Sequence, residues 1–248
     1  MYLIGDIGNS EIKICLVNSK KQIIKKISFS SKNISIKKIK NNFKSLNQYY
    51  SNINKILFCS VVPKIFQLIK NFLKTKINIK CFEIKSLDLS SFLKIKVNYN
   101  QVGSDRIANS ISLAEPKKNF IIIDLGTATT FDVLIGKNYV GGIIAPGIKI
   151  SLNTLSDNAT LIPKIDLKKI KKVIGIDTKS AVRSGFFWGY VGLIDNIINL
   201  IKKETKKSFK VIITGGFSKL IKNPIKTKVF EDKNITLNGL IKTLELIK

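Results

Sequence analysis

Two short stretches carry residue types able to handle phosphate. Asp6-Ile7-Gly8-Asn9-Ser10 interrupts an apolar start, and Asp124-Leu125-Gly126-Thr127-Ala128-Thr129-Thr130 follows the apolar run Phe120–Ile123, 118 residues later. Glycine at the tip of a tight turn lets backbone approach a ligand closely, and turn amides with short hydroxyls can wrap phosphate oxygens. Asn9, Ser10, Thr127, Thr129 and Thr130 supply those groups. The carboxylates of Asp6 and Asp124 would repel a phosphate unless a cation or its water shell stood between, which points to a nucleotide carried with Mg2+.

A third group is Gly103-Ser104-Asp105-Arg106. Only Arg106 and Arg183 among the 43 basic residues are arginine. A guanidinium kept at 106 suggests a planar, two-pronged contact that lysine cannot make; the plainer alternative is a surface Asp–Arg pair at a helix start. Thr178, in Gly175-Ile176-Asp177-Thr178, reads by itself as a helix cap. Gly185, Gly189 and Gly192 follow no strand, so they form no dinucleotide fingerprint and read as helix-packing positions. No GxxxxGK[ST] loop and no histidine occur. P-loop enzymes, Ser-His-Asp triads, HExxH zinc sites and HRD-type kinase loops are thereby removed. Chemistry must rest on carboxylates, hydroxyls, amides and bound cations.

These groups need elements to hold them. Tyr2–Gly5 reads as a short strand, and the alternation of Ile12, Ile14 and Leu16 reads as its antiparallel partner. Phe120–Ile123 with Phe131, Val133 and Ile135 repeats the pattern, so the chain divides into two related halves, 1–115 and 116–248; chance likeness of two Asp-x-Gly turns is the alternative. Leu57–Val62 reads as a buried strand turning at Pro63 into a helix with Ile65, Ile69, Phe72 and Leu73 inward. Ser104 is expected to cap a helix that buries Ile107, Ala108 and Ile111, with Asp105 in its first turn, where the macrodipole favours an ionised carboxylate. Gly141–Gly147 reads as a glycine-rich crossing before a helix near 151–155, and residues 190–203 as an amphipathic helix. Val211–Ile213 is a strand entering Thr214-Gly215-Gly216, and a final helix carries Leu240, Ile241, Leu244 and Ile247. Strands followed by helices in both halves predict an α/β architecture with ligands in a central cleft.

Composition narrows the function classes. With 248 residues and 44% hydrophobic content, no apolar run approaches the ~18 residues of a membrane span, so no membrane partner is expected. Asp6 lies in the first apolar stretch without a basic leader, so no secretory signal is expected either. Cys15, Cys59 and Cys81 stand 44 and 22 residues apart with no CxxC pair. They read as reduced thiols of a cytoplasmic protein, a metal or redox role being the alternative. The net charge of +27 invites a nucleic-acid partner, yet 41 of the basic residues are lysines spread along the chain amid an excess of Ile and Asn. Coding drift accounts for such a bias, so no specific nucleic-acid site is expected, only weak sticking at low salt.

The set Asp6-Ile-Gly-Asn-Ser10, Cys59-Ser-Val-Val-Pro63, Gly103-Ser-Asp-Arg106, Asp124-Leu-Gly-Thr-Ala-Thr-Thr-Phe-Asp132, Gly142 with Pro146-Gly147, Asp177-Thr178, Ser184-Gly185 and Thr214-Gly-Gly216 resembles type III pantothenate kinase along nearly the whole chain. The resemblance implies two duplicated actin-like, ribonuclease-H-like domains of the sugar-kinase, heat-shock ATPase and actin superfamily. It also implies phosphorylation of pantothenate by ATP, the first step toward coenzyme A. On that resemblance the loop Asp6, Ile7, Gly8, Asn9, Ser10, Glu11, Ile12 and Lys13 holds ATP with Mg2+, and Thr127 contacts ATP. Asp124 binds a monovalent cation, K+ or NH4+. Tyr99, Gly103, Ser104, Asp105, Arg106 and Thr178 line the pantothenate site, with Asp105 as proton acceptor. Family members are homodimers with substrate sites near the interface. Ser10 stands where the family has Thr, keeping the hydroxyl, and the loop before Gly103 is short and lacks the usual Pro. Another small-molecule kinase of the superfamily, or a noncatalytic regulator retaining the fold, is the alternative.

Overall fold

The structure, a computed structural model, describes residues 1–247. Along the chain run β1 (Tyr2–Ile7), β2 (Glu11–Val17), β3 (Ile23–Ser30), α1 (Ile36–Phe43), β4 (Lys55–Ser60), α2 (Pro63–Lys74), β5 (Cys81–Glu83), β6 (Lys94–Ile95) and α3 (Ser104–Leu113). There follow β7 (Asn119–Leu125), β8 (Ala128–Ile135), β9 (Asn138–Pro146), α4 (Ile148–Asn158), α5 (Thr178–Thr205), β10 (Lys210–Thr214), α6 (Ser218–Ile221), β11 (Val229–Glu231) and α7 (Ile235–Thr243). Two compact units result: unit 1 is Met1–Ala114 with the segment from Asn234 onward, and unit 2 is Glu115–Lys233.

Unit 1 is built on a sheet in the order β3-β2-β1-β4-β5. Its central strands β1 and β4 are parallel and read as buried runs, whereas β3 alternates with every second residue exposed; the difference is that between a strand covered on both faces and one covered on a single face. Leu3, Ile14, Phe43, Phe58, Ile69 and Phe72 share one core. Gly5 makes it possible, since a Cβ there would stand 2.3 Å from the Phe58 ring. Pro63 begins α2, where its missing N–H is harmless.

Unit 2 repeats the plan. Its strands run β11-β10-β7-β8-β9, with β7 antiparallel to β8 and parallel to β10, as β1 is antiparallel to β2 and parallel to β4. The register matches too: Asp6 lies beside Lys13 and Cys59, and Asp124 beside Thr130 and Thr214. That agreement makes the two Asp-x-Gly turns products of one duplicated design. Ile121, Ile123 and Phe131 pack with Phe187, Ile194 and Ile198 of α5.

Three local expectations are corrected. Gly141–Gly147 belongs largely to β9 rather than to an irregular crossing, and Gly141, at φ +137°, sits where the β8–β9 register shifts, a bulge that glycine accommodates. Helix α5 starts at Thr178, well before residue 190, because Asp177 and Ser180 form a reciprocal capping box. The last helix packs in unit 1, not with residues 116–233. A Cβ on Gly239 would meet the Ala108 carbonyl at 1.8 Å, Thr236 Oγ1 donates to Asn109 Oδ1 at 2.8 Å, and Lys242 Nζ donates to Ser112 O at 2.6 Å. Backbone contact of α7 with α3 through a glycine leaves no periodicity for sequence reasoning to find.

Candidate active site

In unit 1, Asp6 is the penultimate residue of β1, and the turn after it closes through the Gly8 amide to Glu11 O at 3.0 Å. Ile7 and Ile12 are fully buried and anchor the hairpin, while Asn9 and Ser10 are exposed at its tip. Ser31, itself buried, fixes the tip from both sides: its Oγ donates to Gly8 O at 2.6 Å and its amide to Ser10 O at 3.1 Å. Lys13, half-exposed, pairs with Glu11 at 3.5 Å.

The Asp6 side chain is half-buried. Burial pushes its carboxyl up from 3.8 to about 6 against the attraction of the Lys13 ammonium, and the negative charge of Asp105 adds to the rise. The Cys59 thiol, fully buried, donates to Asp6 Oδ1 at 3.5 Å and is itself raised well above its ordinary value, mainly by desolvation. Buried Cys59 thus lies between two half-buried carboxylates, Asp6 and Asp105, and the charge of each raises its thiol further.

Asp105 stands in the first turn of α3. Gly103, not Ser104, is the N-cap residue, and Ser104 begins the helix, buried and without a capping bond. A Cβ at 103 would lie 2.5 Å from Asp105 Oδ1, so glycine there leaves the carboxylate room to fold back over the helix start. The Arg106 amide donates to Asp105 Oδ1 at 2.8 Å. Burial raises the Asp105 pKa, and this amide and the Arg106 guanidinium oppose the rise. Tyr99 opens a 3-10 turn, Tyr99–Gln101, and its hydroxyl is engaged by Lys85 O at 3.1 Å. It borders a cavity of about 520 Å3 that Leu89, Leu93, Lys85, Lys94 and Lys96 also line.

In unit 2, Asp124 lies near the end of β7, and the Gly126 amide closes the turn to Ala128 O at 3.0 Å, leaving Thr127 exposed at the tip. Two later glycines abut this turn. A Cβ on Gly147 would meet Thr127 O at 2.1 Å; one on Gly215, at φ +92°, would meet Leu125 backbone at 2.5 Å and Asp124 Oδ1 at 2.6 Å. With Gly126, whose Cβ would come within 3.3 Å of the same oxygen, they form a cradle in which Gly147 and Gly215 leave no room for a side chain. Thr129 is buried and Thr130 half-buried. Asp132, fully buried, accepts from Tyr139 OH at 2.7 Å and serves the core.

Thr178 is the exposed first residue of α5; the cap is Asp177, whose Oδ1 accepts from the Ser180 amide at 2.9 Å. Gly185, Gly189 and Gly192 do not pack within the described structure, since a Cβ on any of them would have no heavy atom within 4 Å. Ser31 and Lys85 escaped sequence reasoning because each sits in a Lys/Ser-rich stretch with no motif. Gly147 and Gly215 belonged to quoted motifs, but their duty to the Asp124 turn needs the fold.

A family model for type III pantothenate kinase matches residues 2–200. The chain belongs to that family. A type III pantothenate kinase of Pelagibacter ubique (strain HTCC1062) is 61% identical over 248 residues, covering 100% of both chains. Another from Pelobacter propionicus (strain DSM 2379 / NBRC 103807 / OttBd1) is 32% identical over 247 residues, covering 97% of each. Among solved structures, the inorganic polyphosphate/ATP-glucomannokinase of Arthrobacter sp. strain KM aligns over 100% of this chain and 99% of its own, at 13% identity and a TM-score of 0.52. That likeness gives the fold, an α/β architecture with one plan used twice.

Proposed function

We propose that this chain transfers the γ-phosphoryl group of ATP to the primary alcohol of pantothenate, yielding 4'-phosphopantothenate and ADP, the first step of coenzyme A synthesis. The observation that carries this beyond family membership is that the end of β4 touches both places: Cys59 donates to Asp6 Oδ1 at 3.5 Å on the first phosphate-type turn, and Val61, whose amide bonds Ile7 O at 3.1 Å, lies 3.6 Å from where a Cβ on Gly103 would stand at the start of the helix carrying Asp105. One carboxylate suits the nucleotide side and the other the alcohol side of an in-line transfer.

Asp6, Ile7, Gly8, Asn9, Ser10, Glu11, Ile12 and Lys13 form the hairpin assigned to ATP, the buried isoleucines holding it and Ser31 fixing its tip. Thr127, exposed on the second turn, is assigned to the same nucleotide. Tyr99, Gly103, Ser104, Arg106 and Thr178 are assigned to pantothenate. As the alcohol oxygen forms its bond to the γ-phosphorus and the bond from that phosphorus to the leaving ADP oxygen breaks, Asp105 accepts the hydroxyl proton at its carboxylate. Burial suits it to that task by raising its proton affinity, and Gly103 leaves the group free to reach substrate. Phosphoryl transfer has a loose transition state, so positioning by these groups outweighs proton abstraction.

Asp124, in its glycine cradle, suits a monovalent cation such as K+ or NH4+, because a single carboxylate with backbone carbonyls matches a hard ion of low charge. No group of three or more His, Cys, Asp or Glu side chains able to hold a metal occurs among the described residues. Such a cation, when bound, supplies positive charge beside the phosphates; Mg2+ arrives with ATP and Asp6 is the carboxylate suited to it. Pairing of two copies is supported by exposed apolar residues of unit 2, Ile144, Leu161, Ile174 and Ile176 among them, and by the open glycines of α5. Three buried free thiols suit the reducing cytoplasm.

A coupled assay of ADP release with and without pantothenate tests the proposal. Release should depend on pantothenate and be absent with hexoses; turnover on a sugar but not on pantothenate would overturn it.

A further inference from the structure

Lys85 lies in the 3-10 turn Ile84–Ser86 that follows β5, and each of its polar atoms is engaged. Its amide donates to Glu83 Oε2 at 2.8 Å, and its carbonyl accepts from Tyr99 OH at 3.1 Å. Its ammonium donates to Val102 O at 3.1 Å and Asn100 O at 3.3 Å, and lies 4.9 Å above the centre of the Tyr99 ring. The segment so gripped, Tyr99–Val102, leads directly into Gly103, the N-cap of the helix that carries Asp105. One side chain thus ties the approach to α3 to the edge of the unit 1 sheet.

Most of the described lysines are exposed, whereas Lys85 is half-buried. Ammonium-to-carbonyl bonds are charge-assisted, and two of them, on Asn100 and Val102, fix the direction in which the chain leaves the 3-10 turn. The cation over a tyrosine face adds to the grip. Lysine suits the place better than a neutral residue because its three donors can serve two carbonyls at once.

We propose that Lys85 is a positioning residue for the phosphoryl transfer: its ammonium clamps Asn100 and Val102 so that Gly103–Arg106 presents Asp105 to the alcohol substrate. This rests on the function proposed above. A shift of the acceptor carboxylate by about an ångström is enough to cost roughly ten- to a hundredfold in rate.

Lys85→Met, Lys85→Arg and, as a charge-matched control, Lys80→Met test it; Lys80 is exposed and its ammonium lies over the Phe82 ring at 4.8 Å. Amide hydrogen exchange across residues 99–107 should rise about tenfold in Lys85→Met and return toward the parent in Lys85→Arg. kcat/KM for pantothenate should fall at least tenfold in Lys85→Met, KM for ATP should stay within about twofold, and Lys85→Arg should recover most of the loss. Lys80→Met should match the parent in both measurements. Unchanged exchange in Lys85→Met overturns the clamp whatever the enzyme turns over. Raised exchange with unchanged pantothenate kinetics overturns the positioning role, as does an equal loss for both substrates. A parent inactive on pantothenate would refute the function instead, and the exchange comparison would still decide the clamp.

Discussion

Asp6→Asn should make the ligand-free protein more stable, and more so as pH rises. The carboxyl titrates near 3.8 in an unfolded chain and at about 6 in the folded one, chiefly through burial. The folded state therefore holds its proton where the unfolded state has already lost it, and stability falls as pH rises between these values. At ~1.4 kcal/mol per pKa unit the full penalty is about 3 kcal/mol, absent below pH ~4 and complete above pH ~6. Asparagine keeps the shape and the acceptor for the Cys59 thiol while removing the charge that must be desolvated. For a protein of this size ~1 kcal/mol corresponds to about 2–4 °C, so the variant should melt roughly 6–12 °C above the parent at pH 7.5, by differential scanning fluorimetry without nucleotide. The gap should narrow at pH 5 and close near pH 4. A variant less stable than the parent at pH 7.5, or a gap indifferent to pH, would refute the electrostatic account.

Asp105→Asn should bind both substrates yet lose about 10²–10⁴-fold in kcat, and a near-normal kcat in steady-state assays would remove Asp105 from the reaction. Activity should rise when K+ or NH4+ replaces Na+ and collapse in Asp124→Ala; equal rates in the three salts would contradict a cation at Asp124. Gly239→Ala should destabilise the protein by at least ~2 kcal/mol in urea unfolding, because its methyl group would enter the Ala108 carbonyl.

Much of this molecule was legible in advance because the strands announce themselves by alternation and the turns by glycine. Both Asp-x-Gly hairpins, the Pro63 helix start and the first-turn place of Asp105 were readable from local pattern alone. Local pattern puts the cap one residue late at both sites, at Ser104 for Gly103 and Thr178 for Asp177, since several adjacent residues could each serve. What stayed hidden was contact at long range: Ser31 on the tip 21 residues before it, Gly215 against Asp124, Lys85 on the carbonyls of 100 and 102. No periodicity encodes such contacts, because they depend on how separate elements meet.

The partnership of α7 with α3 sets the order of synthesis against the order of assembly. Unit 2 is one continuous stretch, whereas unit 1 is interrupted by it and regains its last helix only after all of unit 2 has been translated. Domains fold as units during synthesis, so unit 2 can close while the Ala108 face of α3 is still bare. Nascent chains halted near residue 233 should show this under limited proteolysis as a resistant 115–233 beside a cleavable 1–114. A ribosome pause between β11 and α7 would then leave the chain's earliest-made sheet as its most vulnerable part.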